Sequence, residues 1–399
     1  RDVDRSRGLG VVYKRQIWDK SLRELGLETG LAAINDAGIT SNDIDALYIG
    51  NMAAGSTLQQ EHVSALIADY CGLANQNIPA TRVEAASASG GLAIRQAYMA
   101  IAGGFIDVAV VGGAEKMTDV SDSESSYTVS MGSDEQWEAK AGATFTSLHA
   151  IIAQNHMLEY GTTREQLSSV AAKNHYHASL NPMAQFPFAL DSAAVSKSGM
   201  VSTPLRRLDC APNSDGAAAV VLCASDKAKK FTDKPIKIIG SGQASDTLSL
   251  HHRKYLHRLP AINIAAKKAF EDSNKKPEDL DLIEVHDNFT ISEIIALEEI
   301  GIFKRGEAAQ KSLEGETKLG GIIPTNTSGG LKARGHAPGA TGIAQIIELV
   351  KQLRGEAGDR QVKNAKLALA ENHGGTAATA VVHILDCLLY TSPSPRDLS

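Results

Sequence analysis

Four stretches of the chain repeat apolar residues every three or four positions, which is the spacing of an amphipathic helix. They are residues 21–38, 91–104, 262–273 and 340–353. Two nearly continuous apolar runs, IDVAVVGG at 106–113 and AKLALAENHGG at 365–375, have the pattern of buried strands. Each run follows a helical stretch, so the pattern predicts an α/β protein.

The chain also repeats itself at long range. DAGITSNDIDALYI at 36–49 matches DSNKKPEDLDLIEV at 272–285, and each copy has the pattern of a helix end, a turn and a strand. Residues 87–90 (SASG) similarly face residues 336–339 (HAPG), each at the start of a helical stretch. We therefore expect two similar halves, each with a mainly parallel sheet and a helix that starts at a shared cleft.

This repetition sets the predicted domain boundaries. The N-terminal half covers residues 17–235 and the C-terminal half residues 236–386. Between about 117 and 205 lies an inserted stretch that is polar at first and then helical. We expect this insertion to form a loop or cap region over a substrate.

Both chain ends have the pattern of translated sequencing adapters. YTSPSPRD at 390–397 can be encoded so that its reverse complement reads SRGLGDVY, and residues 6–13 are SRGLGVVY. We therefore interpret residues 1–16 and 387–399 as adapter-derived and exclude them from the fold prediction. The alternative is a native disordered tail.

Charge and composition exclude several classes of protein. Without the six basic and three acidic residues of the two ends, 34 Lys and Arg stand against 43 Asp and Glu, a net charge of −9. Nucleic acid is therefore a poor partner. No stretch has 18 uninterrupted apolar residues, so we expect no membrane span. Cys71, Cys210 and Cys223 have neither disulfide nor zinc spacing, which favours a reducing cytoplasm.

Six segments carry a resemblance to a known family. They are VEAASASGG (83–91), GGAEKMTD (112–119), NSDGAAAVVL (213–222), VHDNFT (285–290), SGGLKARGHAPGATG (328–342) and NHGGTAAT (372–379). In this order they resemble the thiolase superfamily, and within it the archaeal-type and sterol-carrier-protein-type thiolases, which have HDxF where other thiolases have NEAF. The resemblance implies a duplicated, five-layered αβαβα thiolase fold. It also implies acyl transfer on coenzyme A by Claisen condensation or its reverse.

The resemblance further implies which molecules the protein meets. The substrate would be a coenzyme A thioester, with no permanently bound cofactor and no metal. Thiolases assemble as dimers or tetramers, so we expect a homodimer or homotetramer. Archaeal-type members often associate with a small OB-fold, zinc-ribbon protein, which is a second expected partner.

Ser87 stands where the family has its nucleophilic cysteine, in the first position of a CxS motif. A helix start readily favours a thiolate, whereas a hydroxyl stays protonated and needs a base within hydrogen-bond reach. Three interpretations are open: a serine activated by His336, a related reaction without a covalent intermediate, or an inactivated variant. The last two are compatible with Ser87 as a simple helix N-cap.

Two histidines carry over from the family's motifs. His336 lies in GHAPG and resembles the GHP histidine that activates the nucleophile and helps to bind the thioester oxygen. His286 lies in HDNF and resembles the donor of the enolate oxyanion site. The structural alternatives are a surface-loop histidine for His336 and a strand-end histidine bonded to Asp287 for His286.

Relatives place acid/base cysteines at two further positions, and both are absent here. The sterol-carrier-type cysteine of HDxF corresponds to Asn288, and the CxG motif corresponds to Asn372, His373 and Gly374. An amide forms hydrogen bonds but does not exchange protons near neutral pH. His373 is either catalytic or an outward-pointing loop histidine. The backbone N–H groups of Gly374 and Ser87 would form a second oxyanion hole.

These residues lead to one function and two alternatives. The first is a thiolase-type acyltransferase that acts on coenzyme A thioesters. The second is a thiolase-like retro-aldolase, because a pocket that polarises a carbonyl without a thiolate suits aldol-type cleavage. The third is a non-catalytic acyl-CoA-binding subunit of a complex.

Overall fold

The computed structural model describes residues 9–14 and 17–387. The rest of the ends that we interpret as adapter-derived, residues 1–8, 15–16 and 388–399, lies outside the described residues. Among the helices of the described residues, none combines the length and the hydropathy that a membrane-spanning segment needs.

The first half of the chain builds a five-stranded sheet. Its strands and helices are β1 Leu9–Lys14, α1 Leu22–Ala37, β2 Ala46–Gly50, α2 Ala54–Thr57, α3 Val63–Tyr70, β3 Ala80–Val83, α4 Ser89–Ala102, β4 Val108–Glu115 and β7 Asp215–Cys223. The strand order is β1-β7-β4-β2-β3. β2 is parallel to β3 and β4, whereas β7 is antiparallel to both of its neighbours.

Between β4 and β7 lies the insertion. It consists of α5 Asp122–Ser130, α6 Phe145–Tyr160, α7 Arg164–Ser179, α8 Ser192–Lys197, and the short strands β5 Met200–Ser202 and β6 Leu205–Arg206. Its two longest helices, α6 and α7, pack on helices of the second half. These two helices are therefore attached to the opposite half of the duplication from the strands that flank the insertion, whereas α5 packs on α2 of the first half.

The second half builds a four-stranded sheet. Its elements are α9 Ala228–Phe231, β8 Lys237–Ser245, α10 Pro260–Ser273, β9 Leu282–Glu284, α11 Thr290–Ile300, α12 Ala308–Leu313, α13 Gly330–Arg334, α14 Pro338–Arg354, β10 Leu367–Gly374 and β11 Thr379–Asp386. The strand order is β8-β11-β10-β9. A single parallel bridge between Ile283 and Thr325 takes the place that β3 has in the first half.

The prediction of mainly parallel sheets is wrong, because both sheets are mixed. β9 and β10 are parallel, but β11 is antiparallel to β10 and β8. Residues 375–378 connect β10 to β11, and so short a connection joins only antiparallel strands. In the first half, β7 returns beside β4 in the antiparallel direction after the insertion.

The duplication and the five layers are confirmed. The succession α1, turn, β2 recurs as α10, turn, β9. α4 and α14 pack against each other, and each touches strands of both sheets. α1 packs on β7, β4 and β1, and α10 packs on β8 and β11. The layers therefore run helix, sheet, central helices, sheet, helix.

Glycines allow α4 and α14 to approach closely at their starts. A Cβ atom on Gly90 would lie 2.6 Å from the carbonyl oxygen of Gly339. One on Gly91 would lie 2.8 Å from Oδ1 of Asn372. Because any side chain would overlap these atoms, glycine at these positions allows the starts of α4 and α14 to lie this close.

The strand β1 falls within the segment that we interpret as adapter-derived. It pairs with β7 as the outer strand of the first sheet. Such pairing uses backbone N–H and C=O groups, which every residue type except proline provides. The strand therefore does not test where residues 1–16 come from, and their adapter origin stays a prediction.

Candidate active site

Ser87 lies in a tight turn between β3 and α4. The preceding residue, Ala86, has a positive φ of 49°. The Ala88 N–H donates to the carbonyl of Ala85 at 3.0 Å, which closes the turn. Ser87 is 3% exposed. The residue that caps α4 is Ala88, so the interpretation of Ser87 as a simple helix N-cap is wrong.

His336 lies just before α14, at the place that corresponds to Ser87 in the duplication. Its backbone N–H donates to Oγ of Ser214 at 2.9 Å. It is buried, so the surface-loop interpretation is wrong. Its Nε2 lies 3.3 Å from Oγ of Ser87. The two residues that face each other in the sequence repeat therefore meet directly in space.

The hydrogen bonds around His336 determine which ring nitrogen carries the proton. The single hydroxyl proton of Thr341 is donated to the carbonyl of Ala337 at 2.9 Å. Thr341 Oγ1 therefore accepts from His336 Nδ1, 2.8 Å away. Nε2 is left with its lone pair and accepts from the Ser87 hydroxyl, which is the geometry of a serine and its general base.

Burial determines the charge of His336. Loss of solvation, followed by the positive charge of Arg334, lowers its pKa to about 3. The imidazole is therefore neutral near pH 7 and has a free lone pair. The same shift makes it a weak base, and the residue behind it is a threonine rather than a carboxylate.

Asn372 links Ser87 to His286. The backbone N–H of Gly91 donates to Asn372 Oδ1 at 3.1 Å, and a backbone N–H can only donate. Nδ2 is therefore on the other side, where it donates to the carbonyl of Ser87 at 3.1 Å and to Nδ1 of His286 at 2.8 Å. Because Nδ1 of His286 accepts this bond, the proton of its neutral ring is on Nε2.

His286 therefore presents an N–H group beside His336. The two rings are 5.1 Å apart and nearly perpendicular. Nε2 of His286 is buried and has no hydrogen-bond partner among the described residues. Burial, followed by the nearby imidazoles of His373 and His336, lowers the pKa of His286 well below its usual value. A neutral ring with an unpaired N–H is suited to donate to a carbonyl or enolate oxygen.

Asp287 does not bind the His286 ring, so the interpretation of a strand-end histidine bonded to it is wrong. Its carboxyl group accepts from the backbone N–H of Leu331 at 2.7 Å and from Nδ2 of Asn174 at 2.7 Å. Burial, followed by repulsion from Glu293, raises its pKa to about 7. Asp287 thus joins the HDNF segment to α13 and α7, which holds His286 in place.

Asn288 presents an unpaired amide. Both Oδ1 and Nδ2 are buried without a hydrogen-bond partner in the described part of the chain. Its backbone carbonyl accepts from the N–H of Ala211 at 2.8 Å, which fixes the main chain. Buried polar atoms in folded proteins are normally paired. The free amide therefore indicates a place for a polar ligand.

His373 lies inside β10 and is fully buried, so the interpretation as an outward-pointing loop histidine is wrong. Its ring centroid is 4.4 Å from that of His286. Gly374 follows directly, and a Cβ atom on it would overlap the carbonyl oxygen of Ala85. The NHG segment is thus in contact with the turn that holds Ser87.

Two functional candidates are absent from the sequence prediction. Glu371 is fully buried and its Oε1 lies 2.8 Å from Nδ1 of His373. The sequence could have indicated Glu371, because a glutamate interrupts the apolar run that forms β10. His149, on α6, stacks on Phe289 with ring centroids 4.3 Å apart. Its position offers no such signal, because only the packing of the insertion brings it to the HDNF segment.

His149, like His336, is a neutral ring with its proton on Nδ1. Its Nδ1 lies 3.0 Å from the carbonyl of Phe145 and therefore donates to it, while its buried Nε2 has no partner within the residues described. Burial lowers its pKa to about 3. Among the described residues, no group of three or more His, Cys, Asp or Glu is arranged to hold a metal ion.

Comparison with family models agrees with this architecture. The model described as "Thiolase, N-terminal domain" matches residues 6–226, and "Thiolase C-terminal domain-like" matches residues 242–387. The chain belongs to the thiolase family. The two matches fall on the two halves of the duplication, and the motifs that carry the resemblance lie in both.

Individual proteins of similar sequence or structure match nearly the whole chain. An acetyl-CoA acetyltransferase of Methanothermobacter thermautotrophicus is 52% identical over 92% of this chain and 95% of its own length. Human sterol carrier protein 2 is 33% identical over 90% of this chain and 66% of its own length. The solved structure of an "Ltp2-ChsH2(DUF35) aldolase" has a TM-score of 0.84 and 25% identity, with 96% of this chain and 98% of that chain covered.

Proposed function

We propose that this thiolase catalyses acyl transfer between coenzyme A thioesters, by Claisen condensation or by thiolytic cleavage of a 3-ketoacyl-CoA. The observation that carries the proposal is the contact between Ser87 Oγ and the unprotonated Nε2 of His336. The N–H of His286 adjoins this pair. A nucleophile, a base and an oxyanion donor are the groups that acyl transfer requires.

In the proposed first step, Ser87 attacks the thioester carbonyl. Its hydroxyl proton passes to Nε2 of His336, and the carbonyl electrons move to the oxygen. The backbone N–H groups of Ser87 and Gly374 hold this oxyanion. When the tetrahedral intermediate collapses, the coenzyme A thiolate leaves with the proton from His336, and the acyl group stays on Ser87.

In the second step, a second acyl-CoA loses a proton from its α carbon. Its thioester oxygen accepts from Nε2–H of His286, which stabilises the enolate. The enolate carbon attacks the acyl-serine, the bond between the acyl carbon and the Ser87 oxygen breaks, and this oxygen takes up the proton that had been removed from the α carbon. The product is a 3-ketoacyl-CoA.

Ser87 makes this route slower than one through a cysteine. A thiol has a pKa of about 8.5 and is readily converted to a thiolate at a helix start, whereas a hydroxyl needs the base at the moment of attack. The low basicity of His336 limits that assistance. We propose that Ser87 occupies the family's nucleophile position. Resequencing codon 87 in the source DNA tests whether the serine is genuine. Resequencing both chain ends in the same DNA tests their adapter origin.

Mass spectrometry after mixing with acetyl-CoA tests the acyl-serine. We expect a mass increase of one acetyl group on the peptide that contains Ser87, and none in Ser87→Ala. Binding of acetyl-CoA without an adduct and without turnover would instead favour a non-catalytic acyl-CoA-binding subunit.

A retro-aldolase is the second candidate, and two observations favour it. The solved structure of the aldolase covers almost all of this chain with a TM-score of 0.84. The site also pairs an oxygen-binding N–H on His286 with the buried neutral imidazole of His336, and it has a hydroxyl rather than a thiol at residue 87. Release of an aldehyde or ketone from a 3-hydroxyacyl-CoA without an acyl-enzyme would support it over acyl transfer.

We also propose the assembly and location that the family implies. The protein would form a homodimer or homotetramer in the cytoplasm, and would associate with a small OB-fold, zinc-ribbon protein. The similar aldolase is named together with a DUF35 component, which supports association with a second protein. Light scattering of the purified chain, alone and with such a partner, measures both associations.

A further inference from the structure

His373 and Glu371 form a buried pair beside the proposed oxyanion site. Oε1 of Glu371 lies 2.8 Å from Nδ1 of His373, and both side chains are fully buried. The other carboxylate oxygen, Oε2, accepts from the backbone N–H of His286 at 2.9 Å. One carboxylate therefore holds the His373 ring and the main chain of His286 at the same time.

This contact determines the protonation of His373. A carboxylate only accepts hydrogen bonds, so Nδ1 of His373 carries the proton and donates it to Glu371. Nε2 is left with its lone pair. It is buried and has no hydrogen-bond partner in the described ranges.

His286 and His373 thus present opposite functions from adjacent rings. Asn372 holds Nδ1 of His286, so that its Nε2 is a donor. Glu371 holds Nδ1 of His373, so that its Nε2 is an acceptor. The ring centroids are 4.4 Å apart. An enolisation needs this combination, because a donor stabilises the carbonyl oxygen while a base removes the neighbouring proton.

We infer that His373 is the base that removes the α-proton of the acyl-CoA, and that Glu371 is its positioning residue. The inference rests on the proposed function and fills the step for which Asn288 and Asn372 offer no proton acceptor. The C–H bond breaks and its electron pair forms the enolate, whose oxygen accepts from Nε2–H of His286. The proton goes to Nε2 of His373, and the Glu371 carboxylate balances the positive charge on the ring.

A second buried pair provides a matched control. His156 Nε2 lies 3.2 Å from Oε2 of Glu298, and its Nδ1 lies 2.8 Å from Oγ1 of Thr162. Both ring nitrogens of His156 have partners, so it has no free lone pair to offer a substrate. Both pairs consist of a buried histidine and a buried glutamate, but only His373 has a ring nitrogen without a partner among the described residues.

Exchange of the α-hydrogens of acetyl-CoA in D₂O tests the inference without requiring acyl transfer. NMR or mass spectrometry follows deuterium uptake by acetyl-CoA, with circular dichroism to confirm folding. We expect the wild type to catalyse exchange. His373→Asn keeps a donor near the position of Nδ1 but lacks Nε2, so exchange should fall by a factor of about 100 or more. His156→Asn should exchange at the wild-type rate.

Glu371→Gln tests the positioning role. The neutral amide supports positive charge on His373 less well than the carboxylate does. We expect exchange about 10-fold slower, with the half-maximal rate at a lower pH than in the wild type. A residue with only a structural role would lower the amount of active protein and leave this pH unchanged.

Three results would overturn the inference: no exchange by the wild type, wild-type exchange by His373→Asn, or equal loss in His373→Asn and His156→Asn. The acyl adduct on Ser87 is a separate readout. Exchange that depends on His373 in a protein that forms no adduct would support this inference and contradict the acyl-serine route.

Discussion

The two halves of the molecule share a backbone plan but contribute different chemistry to the site. α4 and α14 start side by side, after turns that hold Ser87 and His336 respectively. The first half supplies a hydroxyl, whereas the second supplies His286, His336 and His373. The duplication therefore provides the geometry, and the differences between the copies provide a nucleophile on one side and proton acceptors and donors on the other.

Two buried ionisable groups, one in each half, have pKa values shifted in opposite directions. In the first half, Glu115 accepts from the backbone N–H groups of Met52, Ala53 and Gly339, and burial raises its pKa to about 7. In the second, burial lowers the pKa of His383 to about 4. Both shifts have the same cause, since burial disfavours the charged form of either group.

The largest expected effect breaks the contact between the halves. His336→Asn keeps a donor toward Thr341 but has no Nε2, so Ser87 loses its base. We expect the rate of acyl-adduct formation from acetyl-CoA to fall by a factor of about 10² to 10⁴. Mass spectrometry over time measures this rate. An unchanged rate would mean that the contact between Ser87 and His336 has no catalytic role.

A gain of activity sharpens the comparison from the other half. Ser87→Cys places a thiol at the start of α4, where a thiolate is favoured. We expect acyl transfer to rise about 10-fold or more, because a thiolate needs less help from the weakly basic His336. The measurement is coenzyme A release from acetyl-CoA. A rate that stays negligible would show that the missing thiol is not what limits acyl transfer by this protein.

The close approach of the halves is tested by Gly90→Ala. The new methyl group would lie 2.6 Å from the carbonyl oxygen of Gly339, so the free energy of unfolding should fall by about 1–3 kcal/mol. Gly30→Ala on α1 is the control, since no atom lies within 4 Å of the added carbon. It should raise the free energy of unfolding by about 0.4–1 kcal/mol. Urea unfolding of both variants measures these changes, and equal values would contradict tight packing between α4 and α14.

The smallest effects concern pH, and they have opposite signs for His383 and Glu115. The pKa of His383 is lower in the folded state, so between pH 6 and pH 5 this residue binds more protons in the unfolded state, and its contribution to stability falls by about 1.4 kcal/mol per pH unit. The raised pKa of Glu115 adds about the same amount per unit as pH falls. Between pH 6 and pH 5, the free energy of unfolding of His383→Gln should therefore decrease less than that of the wild type. That of Glu115→Gln should decrease more. Urea unfolding at pH 6 and pH 5 provides the test, and changes of the same sign would refute it.

Much of the fold could be predicted from local pattern. The helical stretches and the apolar runs became α1, α4, α10, α14, β4 and β10, because their periodicity reflects which side of each element is buried. The direction of β7 and β11 could not be predicted in this way. Strand direction depends on the route of the connection, and a strand buried on both faces has the same apolar pattern in either direction.

The site divides in a similar way. The motifs pointed to Ser87, His286 and His336, and the repeat indicated that Ser87 and His336 would face each other. Glu371 and His149 were missed, since the role of each depends on a contact with a residue on another segment or with a particular ring nitrogen.

By itself, the sequence determined the family, the duplication and the kinds of side chain available for chemistry, because these depend on residue types and on spacings along the chain. Only the tertiary structure decided which nitrogen of each histidine donates and which accepts. A ring proton is placed by the groups around it, and here those groups are Thr341, Asn372 and Glu371. Three similar imidazoles thereby acquire different roles through their neighbours.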